Sequence, residues 1–282
     1  MTALTALASA SGTDPWEKVA LGSGIGVPVA IGGELTPEML LWAYRRGIFC
    51  QPRDDHASIV DNERTYTPDV IAGDIPLLPG PGNPYATLWW SPATRYVIPV
   101  SEIHLGRTLH KTLRAAPWTT TVDTAFPDVV TACGTARQPR WLTGQLIEAL
   151  HTLNAGGWVK SIEVWHHDEL VGGLFGCCMD GVFTMDSTFH TLTGASKTAI
   201  ADLAHRTSAG TISLLDAQVR TEYTTRMGAR PLPRDAYRRH LDAGPRTPGR
   251  LLTGRLPTNR LLTWDRQRTR AITPTTAPQD AS

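Results

Sequence analysis

Three polar side chains, Asp186, Asp216 and Gln218, stand in runs that otherwise read as buried strands. A carboxylate in such a place is costly unless it is paired or used by a site. Side chains alternate along a strand. In TISLLDAQV, Ile212, Leu214, Asp216 and Gln218 therefore share one face, and Asp186 lies in the middle of the neighbouring run VFTMDSTF. Two carboxylates facing one cleft would attract a primary ammonium or a guanidinium, and that cation would offset their mutual repulsion. The plainer alternative is that Asp216 caps a turn and Gln218 bonds backbone.

Other residue types suggest nucleic acid. Arg107, Lys111 and Arg114 recur at i, i+4 and i+7 of a predicted helix over 104–115 and share one face. Such a stripe binds phosphates or is simply a solvated face, the latter being the commoner origin. Trp89, Trp90 and Trp141 could stack on bases, although tryptophans more often fill cores and interfaces, and an interface is expected for the first two. His166 and His167 fall in a hairpin turn and read as surface residues. Ser196 and Lys197 in GASKTA read as a helix start rather than a nucleophile pair.

The elements that must position these groups are partly legible. Thr36 as N-cap, Pro37 in the first turn and Gly47 as the stop predict a helix over 36–47. Gln51 to Ala86 is rich in Pro, Asp and Gly and reads as a long surface loop. Leu146, Ile147, Leu150 and Leu153 form the buried stripe of a helix over 143–154, stopped at Gly156. Then come SIEVW, LVGGLFGCCM and VFTMDSTF, three strands joined by a turn at 166–169 and by Asp180-Gly181. A helix over 195–207 and the strand TISLLDAQV come next, and the strand–helix–strand part should be a right-handed crossover placing 182–189 and 211–219 side by side and parallel. A further helix starts at Glu222.

Composition narrows the classes. A formal net charge of +1 over 282 residues advertises no polyanion partner, so nucleic-acid contact must come from a local patch. The four cysteines, at 50, 133, 177 and 178, form no CxxC pair, which argues against a zinc cage or a secreted disulfide framework and for reduced thiols. No apolar run is long enough to span a bilayer, and the Ala-rich N-terminus lacks a basic region, so no signal peptide is expected and the cytosol is.

The stretches LTPEMLLWAYRRGIF, LWWSP, RWLTGQLIEALHTL, SIEVWHHDELVGGLFG, DSTFHTLTGASKTAI and LLDAQV together resemble the leucyl/phenylalanyl-tRNA–protein transferases of bacteria. The resemblance implies an α+β fold, with a small N-terminal domain and a C-terminal acetyltransferase-like (GNAT-like) domain. On this chain that gives a disordered tail over 1–15, a small domain over 16–93 with the 51–86 insertion, a catalytic domain over 94–242, and a partly disordered extension over 243–282. It implies transfer of Leu or Phe from aminoacyl-tRNA to the α-amine of proteins beginning with Arg or Lys, which enter N-degron proteolysis, with no metal, no cofactor, and a monomeric enzyme. The catalytic pair falls on Asp216 and Gln218, with Gln218 contacting the amine and Asp216 orienting it and favouring proton loss. Asp186, where the family has Glu, falls at the site of the acceptor's basic side chain. The donor pocket is implied at Leu174, Phe183, Thr188 and Leu203, the aminoacyl-adenosine end at Trp141, and tRNA backbone contact at Arg107, Lys111 and Arg114. Cys50-Gln51 stands where the family has Pro-Trp. Two other classes stay open. A coenzyme-A-dependent N-acetyltransferase would need a Gly-rich pyrophosphate loop opening a helix, and none is found. A noncatalytic tRNA-binding module would need the basic face but not Asp216 and Gln218.

Overall fold

A computed structural model describes residues 15–17, 19, 26–135, 140–179, 181–207, 212–244 and 247–272. The expected tail over 1–15 lies almost wholly outside them, as do Asp180 and residues 273–282. The first elements are β1 (Ala30–Gly32), α1 (Pro37–Arg45) and β2 (Phe49–Pro52). Thr36 caps α1 as its residue types require, its hydroxyl accepting from Met39 N at 3.1 Å. The segment expected to be a structureless loop instead carries α2 (His56–Ala72) and β3 (Leu77–Leu78), and β4 (Thr87–Trp90) follows it. The carboxylate of Asp55 accepts from Ser58 N at 2.8 Å, and Gly73 closes α2 in the left-handed region. The helix is illegible in sequence because none of its residues is fully buried and Pro68 lies inside it. Of its apolar residues only Ile59, Tyr66 and Val70 pack inward, against a cluster holding Tyr85 and Leu88.

The rest of the chain builds a second sheet: β5 (Thr94–Pro99), α3 (Arg107–Ala115), β6 (Trp118–Val122), α4 (Phe126–Thr135), α5 (Gly144–Ala155), β7 (Val159–His166), β8 (Glu169–Met179), β9 (Val182–His190), α6 (Ala195–Thr207), β10 (Leu214–Asp216), the short α7 (Glu222–Thr225), β11 (Arg230–Pro233), α8 (Arg234–Ala243), β12 (Leu256–Pro257) and α9 (Arg260–Ile272). The small sheet has the order β2-β4-β1-β3 and the large one β11-β5-β10-β9-β8-β7-β6-β12. One face of the large sheet is covered by α4, α5 and, through Leu40, Leu41 and Trp89, the small sheet's layer. The other is covered by α3 and α6, together with Leu261 at the start of α9. With both faces covered, the central strand β8 is apolar almost throughout, as LVGGLFGCCM reads. The chain beyond His240 is held by a buried ion cluster. Arg206 pairs with Asp202 at 2.6 Å and donates to the carbonyls of Leu252 (2.6 Å) and Gly254 (3.0 Å), and Arg260 joins Asp202.

The crossover is present: β9, α6 and β10 are consecutive, and β10 pairs with β9 in parallel. Two departures from regular strands break the sheet open beside it. The first is the length of β10, which is three residues rather than the whole of TISLLDAQV. Its pairing with β9 stops at Asp216↔Thr184, while β9 runs on to His190. Past that point the chain stays with β5, where Ala217 N donates to Tyr96 O at 2.8 Å. The two parallel strands therefore part, and a wedge opens between them.

The second departure is a β-bulge. Phe175 pairs with Ser187 but Gly176 pairs with Met185, so Asp186 is the extra residue of β9. Facing inverts across it: Phe183 and Met185 pack in the α6 core, whereas Phe189 packs in the core on the opposite face. The bulge needs a glycine opposite, because a Cβ at Gly176 would lie 1.9 Å from Thr184 O. Gly176→Ala is expected to cost about 3 kcal/mol by forcing the strands apart. Gly144→Ala, where a Cβ would meet nothing within 4 Å, is the control. Thermal unfolding of both variants checks this.

Candidate active site

The wedge between β9 and the 217–224 segment is a cleft of about 580 Å³. Its walls are Met185 to His190 on one side and Ala217, Gln218, Val219, Thr221, Tyr223 and Thr224 on the other, with Ser196 and Ile200 of α6 below. Asp186 and Gln218 meet across it, Gln218 Nε2 donating to Asp186 Oδ1 at 3.0 Å. A carboxylate only accepts, so this contact orients the amide and leaves Gln218 Oε1 as its accepting atom. The other Asp186 oxygen accepts from the Tyr44 hydroxyl of α1 at 2.6 Å. Among the described residues Asp186 forms no ion pair.

Asp216 does not line the cleft. It is fully buried and belongs to a network behind Gln218. Arg95, 1% exposed, pairs with both its oxygens, through Nε at 3.3 Å and through Nη2. The Tyr237 hydroxyl of α8 donates to Asp216 Oδ2 at 2.8 Å, and the guanidinium lies 4.7 Å from the Tyr237 ring centroid. The remaining Asp216 capacity accepts from Gln218 N at 2.7 Å. That bond holds Gln218 at φ 62, a conformation that side-chain-bearing residues rarely adopt without outside support.

Electrostatics separates the two carboxylates. Burial pushes the Asp186 carboxyl up to about 7; the Tyr44 hydroxyl opposes this, Asp216 adds to it by repulsion, and Arg95 and Gln218 lower it again. Burial also raises Tyr44, with Asp186 adding, so the phenol stays a donor. For Arg95 burial works against the charge, but Asp216, Tyr237 and the hydrogen bonds to them together outweigh it and the guanidinium is held charged. Cys50 and Cys177 are pushed up first by burial and then by Asp186, so both stay neutral packing groups.

The sequence-expected residues fall in several places. Asp186, Gln218 and Thr188 line the cleft together. Leu174, directly opposite Thr188 in the sheet, is fully buried, as are Phe183 and Leu203, and all three belong to the core under α6 rather than to the cleft wall. Trp141 stacks on Phe175 with the rings 6.3 Å apart and 8° from parallel. Arg107, Lys111 and Arg114 are all exposed on α3. Trp89 is fully buried, its indole donating to Gly32 O at 2.7 Å. Sequence reasoning does not find Tyr44, Arg95 or Tyr237. Arg95 carries a signal, as a lone charge in the apolar strand TRYVIP, whereas nothing local marks the two tyrosines.

Among the described residues, a carboxylate without an ion pair thus stands beside an amide locked in place, and the class of protein that its relatives define is an aminoacyltransferase. Residues 97–242 match the family model described as leucyl/phenylalanyl-tRNA protein transferase. A protein of that name from Tolumonas auensis is 36% identical over 217 residues, 76% of this chain and 80% of the relative. One from Chromohalobacter salexigens is 38% identical, over 76% of this chain and 73% of its own. One from Shigella sonnei is 33% identical, over 82% and 84%. A solved protein of unknown function from Staphylococcus epidermidis matches half of this chain at a TM-score of 0.35 and 11% identity, too distant to bear on the fold. The chain belongs to the leucyl/phenylalanyl-tRNA–protein transferase family, whose aminoacyltransferases move an aminoacyl group from tRNA to protein N-termini.

The Asp186 shift carries a stability consequence. Its folded pKa lies above the unfolded one, so the native state holds the proton more tightly; the stability that Asp186 contributes is complete below about pH 4 and is lost as pH rises through about 7. Asp186→Asn removes that loss. Relative to wild type the variant is expected to gain stability between pH 4 and 8, read from urea unfolding across that range. A difference independent of pH would contradict the shift.

Proposed function

We propose that this enzyme transfers leucine or phenylalanine from the 3′ end of aminoacyl-tRNA to the α-amine of proteins that begin with Arg or Lys, marking them for N-degron proteolysis. The observation that carries the reading is the pairing of Asp186 and Gln218 in the cleft, 3.0 Å apart, with Asp216 locked behind them. Asp186 offers a carboxylate to the guanidinium or ammonium of the acceptor's first side chain. A bound cation favours the ionised carboxylate and offsets the repulsion from Asp216. Gln218 Oε1 then accepts a hydrogen bond from the acceptor's α-amine and aims its nitrogen.

An aminoacyl ester is already activated. The amine nitrogen attacks the ester carbonyl, the bond to the ribose oxygen breaks, and that oxygen leaves with a proton as the 3′-hydroxyl. A free α-amine has a pKa near ~8, so a usable neutral fraction exists at neutral pH. No covalent enzyme intermediate is needed, and positioning supplies most of the effect. Thr188 and Ile200 are the wall offered to the donor side chain, and Leu174, Phe183 and Leu203 lie in the core behind that wall. Trp141 holds the aminoacyl-adenosine end, its ring already presented flat on Phe175. The exposed Arg107, Lys111 and Arg114 contact the tRNA backbone. The β9–α6–β10 crossover and the parting of its strands support an acetyltransferase-like core spanning 94–242, joined to a small N-terminal domain. Aminoacyl-tRNA as substrate supports a cytosolic setting.

A transfer assay with Leu-, Phe- or Met-charged tRNA and peptides starting in Arg, Lys, Asp or Glu tests the reading. Transfer to Arg and Lys peptides is expected; transfer to none overturns it, and transfer only to acidic peptides removes the role given to Asp186. Asp186→Asn is expected to raise the KM for an Arg peptide at least about tenfold, the worth of one charge-assisted hydrogen bond, while the KM for charged tRNA stays put. Replacing Arg107, Lys111 and Arg114 by Gln together should weaken tRNA binding and flatten its dependence on log salt by about 2, as three lost phosphate contacts require.

A further inference from the structure

We propose that Arg95 is a positioning residue of the transfer reaction, and that the pair it forms with Asp216 is the anchor of Gln218 rather than a proton acceptor. The inference rests on the transferase reading and extends it to a residue that never touches substrate. Asp216 is fully buried and all its visible hydrogen-bonding capacity is directed away from the cleft: to Arg95, to the Tyr237 hydroxyl, and to the backbone of Gln218. A base must reach the proton it removes. Asp216 reaches only the amide behind the reacting side chain.

What the pair does reach is the conformation of Gln218. The chain leaves β10 at Asp216 and must turn Gln218 into the wedge with φ 62. Two bonds fix that turn: Asp216 Oδ1 accepting from Gln218 N at 2.7 Å, and Gln218 O accepting from Tyr96 N at 3.4 Å. Tyr96 is the strand neighbour of Arg95. Arg95 also donates through Nη1 to Gly47 O at 3.3 Å, just beyond α1, the helix that supplies Tyr44 to Asp186. One guanidinium thus ties the backbone of Gln218 to the loop just after Tyr44, and so sets the distance between the acceptor's two contacts. Lysine has the charge but not the fork that spans both partners.

The test measures kcat, acceptor KM and melting temperature for Arg95→Met, Arg95→Lys, Asp216→Asn and the neutral pair Arg95→Met/Asp216→Asn, all in the full chain. A displaced Gln218 is expected to lower kcat about a hundredfold, the cost of a misplacement near 1 Å, with acceptor KM within about threefold because Asp186 is intact. The double variant is expected to lose no more than the worse single variant, and Arg95→Lys to recover part of the rate. Each limb of the pH–rate profile should survive in every variant, the one set by Asp186 shifting as the influence of Arg95 or Asp216 on that carboxyl is removed. Arg95→Met strands a buried carboxylate, so it can fail to fold; the neutral pair, which strands no charge, then decides. A neutral pair that folds and keeps wild-type kcat overturns the proposal. So do losses that multiply in the double variant, or a pH limb that disappears only with Asp216→Asn, which would make Asp216 the base. A wild-type enzyme with no transfer at all would instead defeat the functional reading, which separates the two failures.

Discussion

The Arg95–Asp216 ion pair is the contact on which the site depends. Both groups are cut off from water, and a buried charge without its partner costs several kcal/mol. Each guanidinium nitrogen and both carboxylate oxygens therefore have a protein partner, and the segments that supply them are pinned. They are β5 with Arg95, β10 with Asp216, α8 with Tyr237, and the turn after α1 with Gly47. The pair also ties the two sheets together, since Gly47 stands between α1 and β2 of the small one. A hydrophobic replacement of similar volume could fill the same space, but it could not direct a backbone amide.

Around that anchor the cleft is made by strands that stop pairing. β9 and β10 run together for three residues and part, and the bulge at Asp186 turns the carboxylate out of the apolar alternation. Both features sit at the same level of the sheet. A regular β9 would have kept Asp186 in register with its neighbours on one face or the other, either buried in a core or lost to the wrong side. The bulge is possible because Gly176 lets two backbones approach more closely than any side chain allows.

The two carboxylates then differ by environment alone. Asp216 has a guanidinium, a phenol and a backbone amide, and serves structure. Asp186 has a phenol and an amide, both neutral, and its carboxyl is pushed up to about 7. A site with hydrogen bonds but no counter-charge is one that a cationic ligand completes. The same division explains why Asp186 faces open space and Asp216 does not.

Much of this is readable along the chain, where the physics is local. Caps and stripes locate α1, α3, α5 and α6; turn residues and apolar runs locate β7, β8 and β9; the crossover rule brings β9 beside β10. Asp186, Asp216 and Gln218 are visible because a polar residue in an apolar run is costly, and the resemblance of the surrounding stretches points to the family. Strand alternation by itself puts Asp216 and Gln218 on one face, but the strand ends at Asp216, and it is a left-handed turn and a buried anchor that aim Gln218. The helix over 56–72 is hidden because it buries little of itself, so no stripe announces it. Tyr44 stands 142 positions from Asp186, and Arg95 and Tyr237 stand 121 and 21 positions from Asp216. Partners so far along the chain leave no periodic trace. The sequence by itself determined which residues could do chemistry and which elements carry them. Only the tertiary structure decided which carboxylate is neutralised and which is left open, because that depends on which buried cation the packing brings within reach.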